Sequence, residues 1–376
     1  MLTNPYFCPM PWTGLMYNSD GSVKNCIRSA NTIGNIQDAP IEQILLNNHN
    51  VSRQSMILDK KPPSNCQPCH DLEHGKQGFE IISDRIFYIK EFKQVSLDTY
   101  RVNNFDLQTI DVRWTNLCNF ACVYCGPEFS SRWADELQVE QRKPTEQQRK
   151  DFKEYIFKHA DKLKHIYLAG GEPLLMKENL ELLDLLDPKV NIRINTNLSK
   201  VDTQVFDRIC KFKNVHWTIS VETMEAEFEY IRFGGHWKDF VDNLTKIQKL
   251  GHKVSFNMLW FLLNYRSVFD CVDYLKGQGF HNNSFIIGAL ISPVHLNIRH
   301  LPKDVLHSME TILQDRINEK PGYLLEDSYQ NMLHYIQQPF EQDLIGSFEK
   351  LAVMDSRRGV DSSKIFTELY KLKEGN

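Results

Sequence analysis

Residues 109–127, TIDVRWTNLCNFACVYCGP, decide the fold. The stretch TIDVRWTN (109–116) is rich in β-branched and aromatic residues and reads as a β-strand. Three cysteines follow at once, Cys118, Cys122 and Cys125, spaced C-x3-C-x2-C. A cysteine triple at the C-terminal end of a strand lies where parallel α/β folds place their active sites. Three thiolates can hold three irons of a 4Fe–4S cluster and leave the fourth iron open. A structural zinc knuckle is the other reading.

Downstream, strand and helix patterns alternate. Strands are expected at 164–170, 190–197, 215–222, 253–263 and 284–292. Helical periodicity lies between them at 144–160, 177–187, 203–212, 237–251 and 265–279, and at 302–315 after the last strand. Several strands read as apolar on both faces, as buried parallel strands are. The pattern predicts an α/β fold with a parallel sheet and right-handed crossovers. Six βα repeats are too few for a closed eight-stranded barrel, so residues 109–300 are expected to form a partial (β/α)6 TIM-like barrel. Residues 301–376 read as exposed helices without a chemical motif.

Upstream, residues 1–85 are expected to form a small Cys-rich domain, joined by a connector over 86–108. WTGLMYNSDGSVKNC (12–26) reads as two strands around the turn Asn18-Ser19-Asp20-Gly21. A helix is expected from Pro40, and KPPSNCQPCH (61–70) reads as a Pro-rich loop. This segment holds Cys8, Cys26, Cys66 and Cys69, spaced C-x17-C-x39-C-x2-C. The closing C-x2-C suits two ligands of one centre, either an iron–sulfur cluster or structural zinc. Cys210 and Cys271 fall in amphipathic helix patterns and read as buried apolar residues.

Composition narrows the function classes. The nine cysteines of the 376 residues are an odd number, which argues against a disulfide framework. Lys plus Arg is 44 and Asp plus Glu is 48, so there is no basic excess of the kind that nucleic-acid wrapping requires. The longest apolar run, Val254–Leu263, is about half the roughly 20 residues a membrane span needs. The start, MLTNPYFCPMPW, lacks the basic and apolar regions of a secretory signal, so a cytoplasmic location is expected.

The cysteine triple, with Tyr124 before its last member, resembles the signature of the radical S-adenosylmethionine (SAM) superfamily. The resemblance extends over the βα region in family order. Gly170-Gly171-Glu172-Pro173 after the second strand matches the segment that receives the methionyl amino group of SAM. Thr196 and Asn197 end strand three, and Ser220-Val221-Glu222 ends strand four, as in the family's ribose and methionyl contacts. Arg232 resembles a downstream arginine that meets the SAM carboxylate, and Tyr124 would lie near the adenine. The N-terminal Cys8, Cys26, Cys66 and Cys69 resemble a SPASM/twitch auxiliary domain holding a further 4Fe–4S cluster, here placed before the barrel.

The resemblance implies two 4Fe–4S clusters, SAM and an external one-electron reductant such as flavodoxin or ferredoxin. Reductive cleavage of SAM would give a 5′-deoxyadenosyl radical that abstracts a substrate hydrogen. The auxiliary cluster would then accept an electron, for oxidative modification of a peptide or small molecule. A redox-neutral reaction of epimerase type is the alternative within the family. A zinc-bound, non-catalytic interaction protein is the alternative outside it. Trp260, Asn264, Tyr265, His295 and Arg299 are candidate substrate contacts by position.

Overall fold

A computed structural model describes residues 4–74, 83–92 and 105–374. Backbone packing divides the chain into two compact units. One comprises Met1–Leu117, Pro127–Ile194 and Asp202–Val215; the other comprises Cys118–Gly126, Asn195–Val201 and His216–Asn376.

In the first unit, β1 (Gly14–Tyr17) and β2 (Ser22–Lys24) form the expected antiparallel hairpin, and β3 (Gly34–Asn35) pairs with β2. Gly21 takes φ +85° in the turn, a left-handed conformation that glycine adopts without a Cβ penalty. The hairpin continues the βα sheet: β1 pairs in parallel with β4 (Thr109–Val112), Leu15 opposite Ile110. The ladder runs on through β5 (His165–Leu168) and β6 (Asn191–Thr196). The helix Glu146–Lys158 begins in a capping box, in which Thr145 Oγ1 accepts from Gln148 N–H and Gln148 Oε1 accepts from Thr145 N–H.

In the second unit, β7 (Asn214–Ser220), β8 (Lys253–Trp260) and β9 (Phe285–Ala289) are parallel neighbours. All six expected βα strands are therefore present, in the (β/α)6 series of a partial barrel. Each is shorter than its apolar run. Among the described residues no helix is long and apolar enough to cross a membrane.

Three expectations are corrected. The strands are not apolar on both faces. In β4 to β6, Ile110, Ile166, Ile192, Val112, Leu168 and Ile194 share one fully buried face, while the other carries Asp111, Tyr167 and Arg193 in register. KPPSNCQPCH is not a loop throughout: residues Ser64–Cys66 form a 3-10 turn and Gln67–His74 a helix. Pro68 is tolerated because the first helical turn has no use for its missing N–H. The C-terminal helices are not merely exposed, for Tyr323–Ile336 buries Leu325, Tyr329 and Met332, and Leu344–Arg358 buries Phe348 and Leu351. Of the expected N-terminal domain and connector, residues 1–3, 75–82 and 93–104 lie outside the described residues.

Asp111 yields a pH test. It is buried, Arg113 NH2 lies 3.3 Å from one carboxylate oxygen, and the other oxygen has no hydrogen-bond partner. Burial pushes the carboxyl up to about 7, against the pull of Arg113 and Arg193. Between pH 4 and 7 the unfolded chain has released this proton while the folded chain retains it. Stability therefore falls with rising pH across that window and is level above it. Asp111→Asn is expected to raise unfolding free energy at pH 8 by on the order of 2–4 kcal/mol, with little gain at pH 4.5. Equal effects at both pH values in denaturant titrations would contradict the assignment.

Candidate functional site

The segment after β4 carries the cysteine triple with neither helix nor strand to shape it. Its neck is closed by Asn116, whose Nδ2 donates to the Pro127 carbonyl at 2.8 Å and whose own carbonyl accepts from Ser131 N–H at 2.7 Å. The carbonyl of Leu117 accepts from Glu172 N–H at 2.7 Å, tying the exit of β4 to the Gly-Gly-Glu-Pro turn after β5. Gly171 makes this approach possible. A Cβ there would lie 2.5 Å from the Leu117 carbonyl carbon and 2.8 Å from that of Asn116, closer than atoms can pack. Gly170 adopts φ +118°, and Glu172 is fully buried, its Oε1 accepting from Leu174 N–H at 3.1 Å.

In the second unit, Ala121 N–H donates to the Phe233 carbonyl at 2.9 Å and Val123 N–H to the Ile231 carbonyl at 2.8 Å. Cys125 N–H closes a tight turn on the Cys122 carbonyl at 2.9 Å. Cys122 is buried, while Cys118 and Cys125 are partly exposed. Two nitrogens approach the Cys118 sulfur: Phe120 N at 3.5 Å and Asn197 Nδ2 at 3.9 Å. Asn197 also donates to Asn119 Oδ1 at 3.2 Å, and Asn119 Nδ2 donates to Ser199 Oγ at 2.9 Å. Asn119 and Ser199 are residues that motif reading passed over; their only signal was a short polar side chain beside each motif. The hydroxyl of Thr196 accepts from Leu198 N–H at 2.9 Å, and Ser220 stands opposite Asn257 at the end of β7.

Tyr124, Glu222 and Arg232 meet in one buried network. Arg232 Nε and NH2 donate to the two Glu222 carboxylate oxygens, each at 2.7 Å, and Tyr124 Oη donates to Glu222 Oε1 at 3.0 Å. The guanidinium stands 5.9 Å from the Tyr124 ring centre. Burial alone would lower the Arg232 pKa, but the Glu222 carboxylate beside it outweighs burial and the net direction is up. Of the candidate substrate contacts, Trp260 and Asn264 are fully buried. Asn264 Nδ2 donates to the Glu222 carbonyl at 3.1 Å, which makes it part of the framework. Arg299 is held between the rings of Tyr335 and Phe340, 4.2 and 4.3 Å from their centres.

The four N-terminal thiols lie within electrostatic range of one another in an apolar nest of Phe7, Met10, Trp12 and Met56. Burial pushes Cys26 and Cys66 up to about 12, and Cys8 and Cys69 also rise. Nearby polar groups pull the other way without overcoming burial: the main chain of Met10 at Cys8, of Arg28 and Ser29 at Cys26 and of Arg85 at Cys69, and the Asn25 side chain at Cys66. The Arg85 side chain clamps the nest. Its NH1 donates to the Pro5 and Phe7 carbonyls, both at 2.9 Å, and its Nε to Glu73 at 3.0 Å, on the helix that carries Cys69. Zinc would gather all four sulfurs on one ion at about 2.3 Å, whereas a 4Fe–4S cluster gives each thiolate its own iron. The donor set fits the cluster.

Comparison with known families agrees with this geometry. Residues 112–275 match the radical SAM superfamily, and residues 8–70 match the SPASM iron–sulfur cluster-binding domain, spanning all four N-terminal cysteines. The chain thus carries a SPASM domain at its N-terminus and a radical SAM domain downstream of it. Its cofactors are accordingly SAM and 4Fe–4S clusters, one of them auxiliary. Among similar proteins, a GTP 3′,8-cyclase of Sulfurimonas denitrificans is 25% identical over 177 residues, 44% of this chain and 51% of that protein. A GTP 3′,8-cyclase of Aliarcobacter butzleri is 25% identical over 265 residues, 63% of this chain and 74% of that protein. The first of these alignments thus spans about half of the relative's length. Among solved structures, AdoMet-bound anSMEcpe aligns with a TM-score of 0.42 at 16% identity, covering 57% of this chain and 60% of that one.

The close approach of the glycine turn to the exit of β4 gives a test. Gly171→Ala is expected to force the two segments apart. It should lower the melting temperature and reduce the iron retained after anaerobic reconstitution to half or less of wild type. A variant with wild-type melting and iron content would show that the contact at Leu117 is dispensable.

Proposed function

We propose that the chain is a radical SAM oxidoreductase that abstracts a hydrogen from a peptide or small-molecule substrate and passes the resulting electron to its auxiliary cluster. The observation that carries this reading is the second thiol nest, four cysteines gathered within residues 8–70, the segment that matches the SPASM iron–sulfur cluster-binding domain. A second cluster in addition to the first gives an electron leaving a substrate radical somewhere to go.

In this reading Cys118, Cys122 and Cys125 hold the SAM-binding cluster, and Cys8, Cys26, Cys66 and Cys69 hold the auxiliary one. When bound, the first cluster supplies the electron that cleaves SAM to methionine and a 5′-deoxyadenosyl radical. The protein's own part is positioning. Gly170, Gly171 and Pro173 shape the turn that takes the methionyl end, and Glu172 accepts from its ammonium. Thr196, Asn197 and Ser220 stand at strand ends where small polar groups can meet the ribose and methionyl groups, and Tyr124 is the aromatic near the adenine. The working segments are then 1–85 for the auxiliary cluster, 109–300 for SAM chemistry and 301–376 as a helical brace. An external one-electron reductant of the flavodoxin or ferredoxin type completes the cycle.

The names of the relatives favour a second reading. GTP 3′,8-cyclases act on a purine nucleotide, so a nucleotide substrate and a redox-neutral outcome would fit that kinship.

Anaerobically reconstituted wild type is expected to carry about eight irons, falling to about four when Cys118, Cys122 and Cys125 are all changed to Ala. That variant should form no 5′-deoxyadenosine with dithionite and SAM. Cys66→Ala with Cys69→Ala should also leave about four irons yet still cleave SAM. Full iron in the triple variant would refute the assignment of the SAM-binding cluster. One zinc in wild type, with only four irons, would remove the electron acceptor and with it the oxidative reading.

A further inference from the structure

The resemblance to known enzymes places Arg232 and Glu222 at the cofactor, yet in the structure they are bonded to each other. We propose that Arg232 and Glu222 are positioning residues for the cysteine loop: their buried ion pair, completed by the Tyr124 hydroxyl, fixes the turn carrying Cys122 and Cys125, and neither side chain contacts SAM. The proposal rests on the reading of Cys118, Cys122 and Cys125 as cluster ligands.

Bond geometry carries the argument. Both Glu222 carboxylate oxygens accept from Arg232, and Oε1 accepts a further bond from Tyr124, which lies between Cys122 and Cys125 in the chain. The side chains of Arg232 and Glu222 are 3% and 2% exposed. The guanidinium edge formed by Nε and NH2 is taken by Glu222, so a SAM carboxylate could pair with that edge only by opening the ion pair, which would strand a buried carboxylate. The fork-on-fork geometry is one that Arg forms and Lys does not.

The main chain around Arg232 grips the same loop. The carbonyls of Ile231 and Phe233 accept from Val123 and Ala121 N–H, so residues 231–233 hold the loop by backbone on both sides of the arginine. Arg232 N–H itself donates to the Phe228 carbonyl at 2.8 Å, anchoring the stretch to the helix Glu225–Ile231. Glu222 is fixed in turn, because its carbonyl accepts from Asn264. The C-terminal helix Leu344–Arg358 braces the stretch. Tyr230 Oη donates to Asp355 at 2.6 Å, and the Arg358 guanidinium lies 4.5 Å from the centre of the Phe233 ring. Arg232 and Glu222 also lie within electrostatic range of the Cys122 sulfur. The pair is therefore placed to set both the shape of the loop and the fixed charge beside one ligand.

The test uses the full chain, reconstituted anaerobically, with Arg232→Lys, Glu222→Gln and Tyr124→Phe. Three quantities are read: iron retained after gel filtration, the EPR spectrum of the reduced SAM-responsive cluster before SAM is added, and SAM affinity of the cluster-loaded fraction. Arg232→Lys and Glu222→Gln are expected to lose half or more of that cluster and to shift its g values. The loaded fraction should bind SAM within about threefold of wild type. Tyr124→Phe removes one bond of three and should shift the spectrum in the same direction by less, which keeps the test open if the charged variants fail to fold. Arg232→Lys with full iron, an unchanged spectrum and roughly tenfold or greater loss of SAM affinity would make Arg232 a cofactor contact and overturn the proposal. Wild-type values on all three readings would overturn it too. Failure of the ligand assignment itself appears separately, as a SAM-responsive EPR signal that survives the triple cysteine replacement.

Discussion

Residues Cys118–Gly126 must hold three thiols in a fixed arrangement without a helix or strand of their own. Fixing an irregular backbone costs about 1–2 kcal/mol of conformational entropy per residue, so bonds from outside the segment have to offset that cost. The chain supplies them at its neck through Asn116 and Pro127, and along its length through the carbonyls of Ile231 and Phe233. It also supplies them at Tyr124 through Glu222 and Arg232. Most of the polar architecture described above serves this one loop, and the requirement that thiols keep their places explains why so many buried polar groups are spent on it.

The N-terminal thiols pose the opposite problem. They come from distant points in the chain, and the apolar nest of Phe7, Trp12 and Met56 brings them together. Burial favours protonated thiols and so works against ligation. Nearby polar groups pull the other way without overcoming it, and the clamp from Arg85 to Glu73 holds the nest. Binding a metal centre here must release protons, and its binding energy becomes part of the folding energy of the segment. The two cysteine groups thus differ in kind. One is an irregular loop held by hydrogen bonds, and the other is a core held by burial.

Much of this was legible in the sequence. The six βα strands announced themselves by β-branched and aromatic runs, and the cysteine spacings marked both centres. Strand ends were overrun because apolar runs such as KVSFNMLWFLL continue past the last ladder bond into a turn, here Leu262–Asn264. The helix Gln67–His74 was read as loop because Pro68 was weighed as a breaker, although it sits where a helix tolerates proline. The polar face of β4 to β6 was missed because single strands of four residues, such as His165–Leu168, are too short to show which side is open. Neither could the Arg232–Glu222 pair be read, since ten residues and a helix separate the partners in the chain.

The polar face and the network around Tyr124 share a physical logic. Buried charge is tolerated in both, but its accounts are balanced in only one. Arg232 and Glu222 neutralise each other through two hydrogen bonds, Tyr124 adds a third, and both carboxylate oxygens are partnered. Asp111 keeps one oxygen unpartnered and a carboxyl raised by burial, although Arg113 stands beside it. A closed pair of the first kind holds a shape and has little left to offer a ligand. An open carboxylate of the second kind carries an energetic cost, which protonation relieves. The two arrangements therefore differ in what holds them: the Arg232–Glu222 pair is fixed by its bonding, whereas the state of Asp111 follows its protonation.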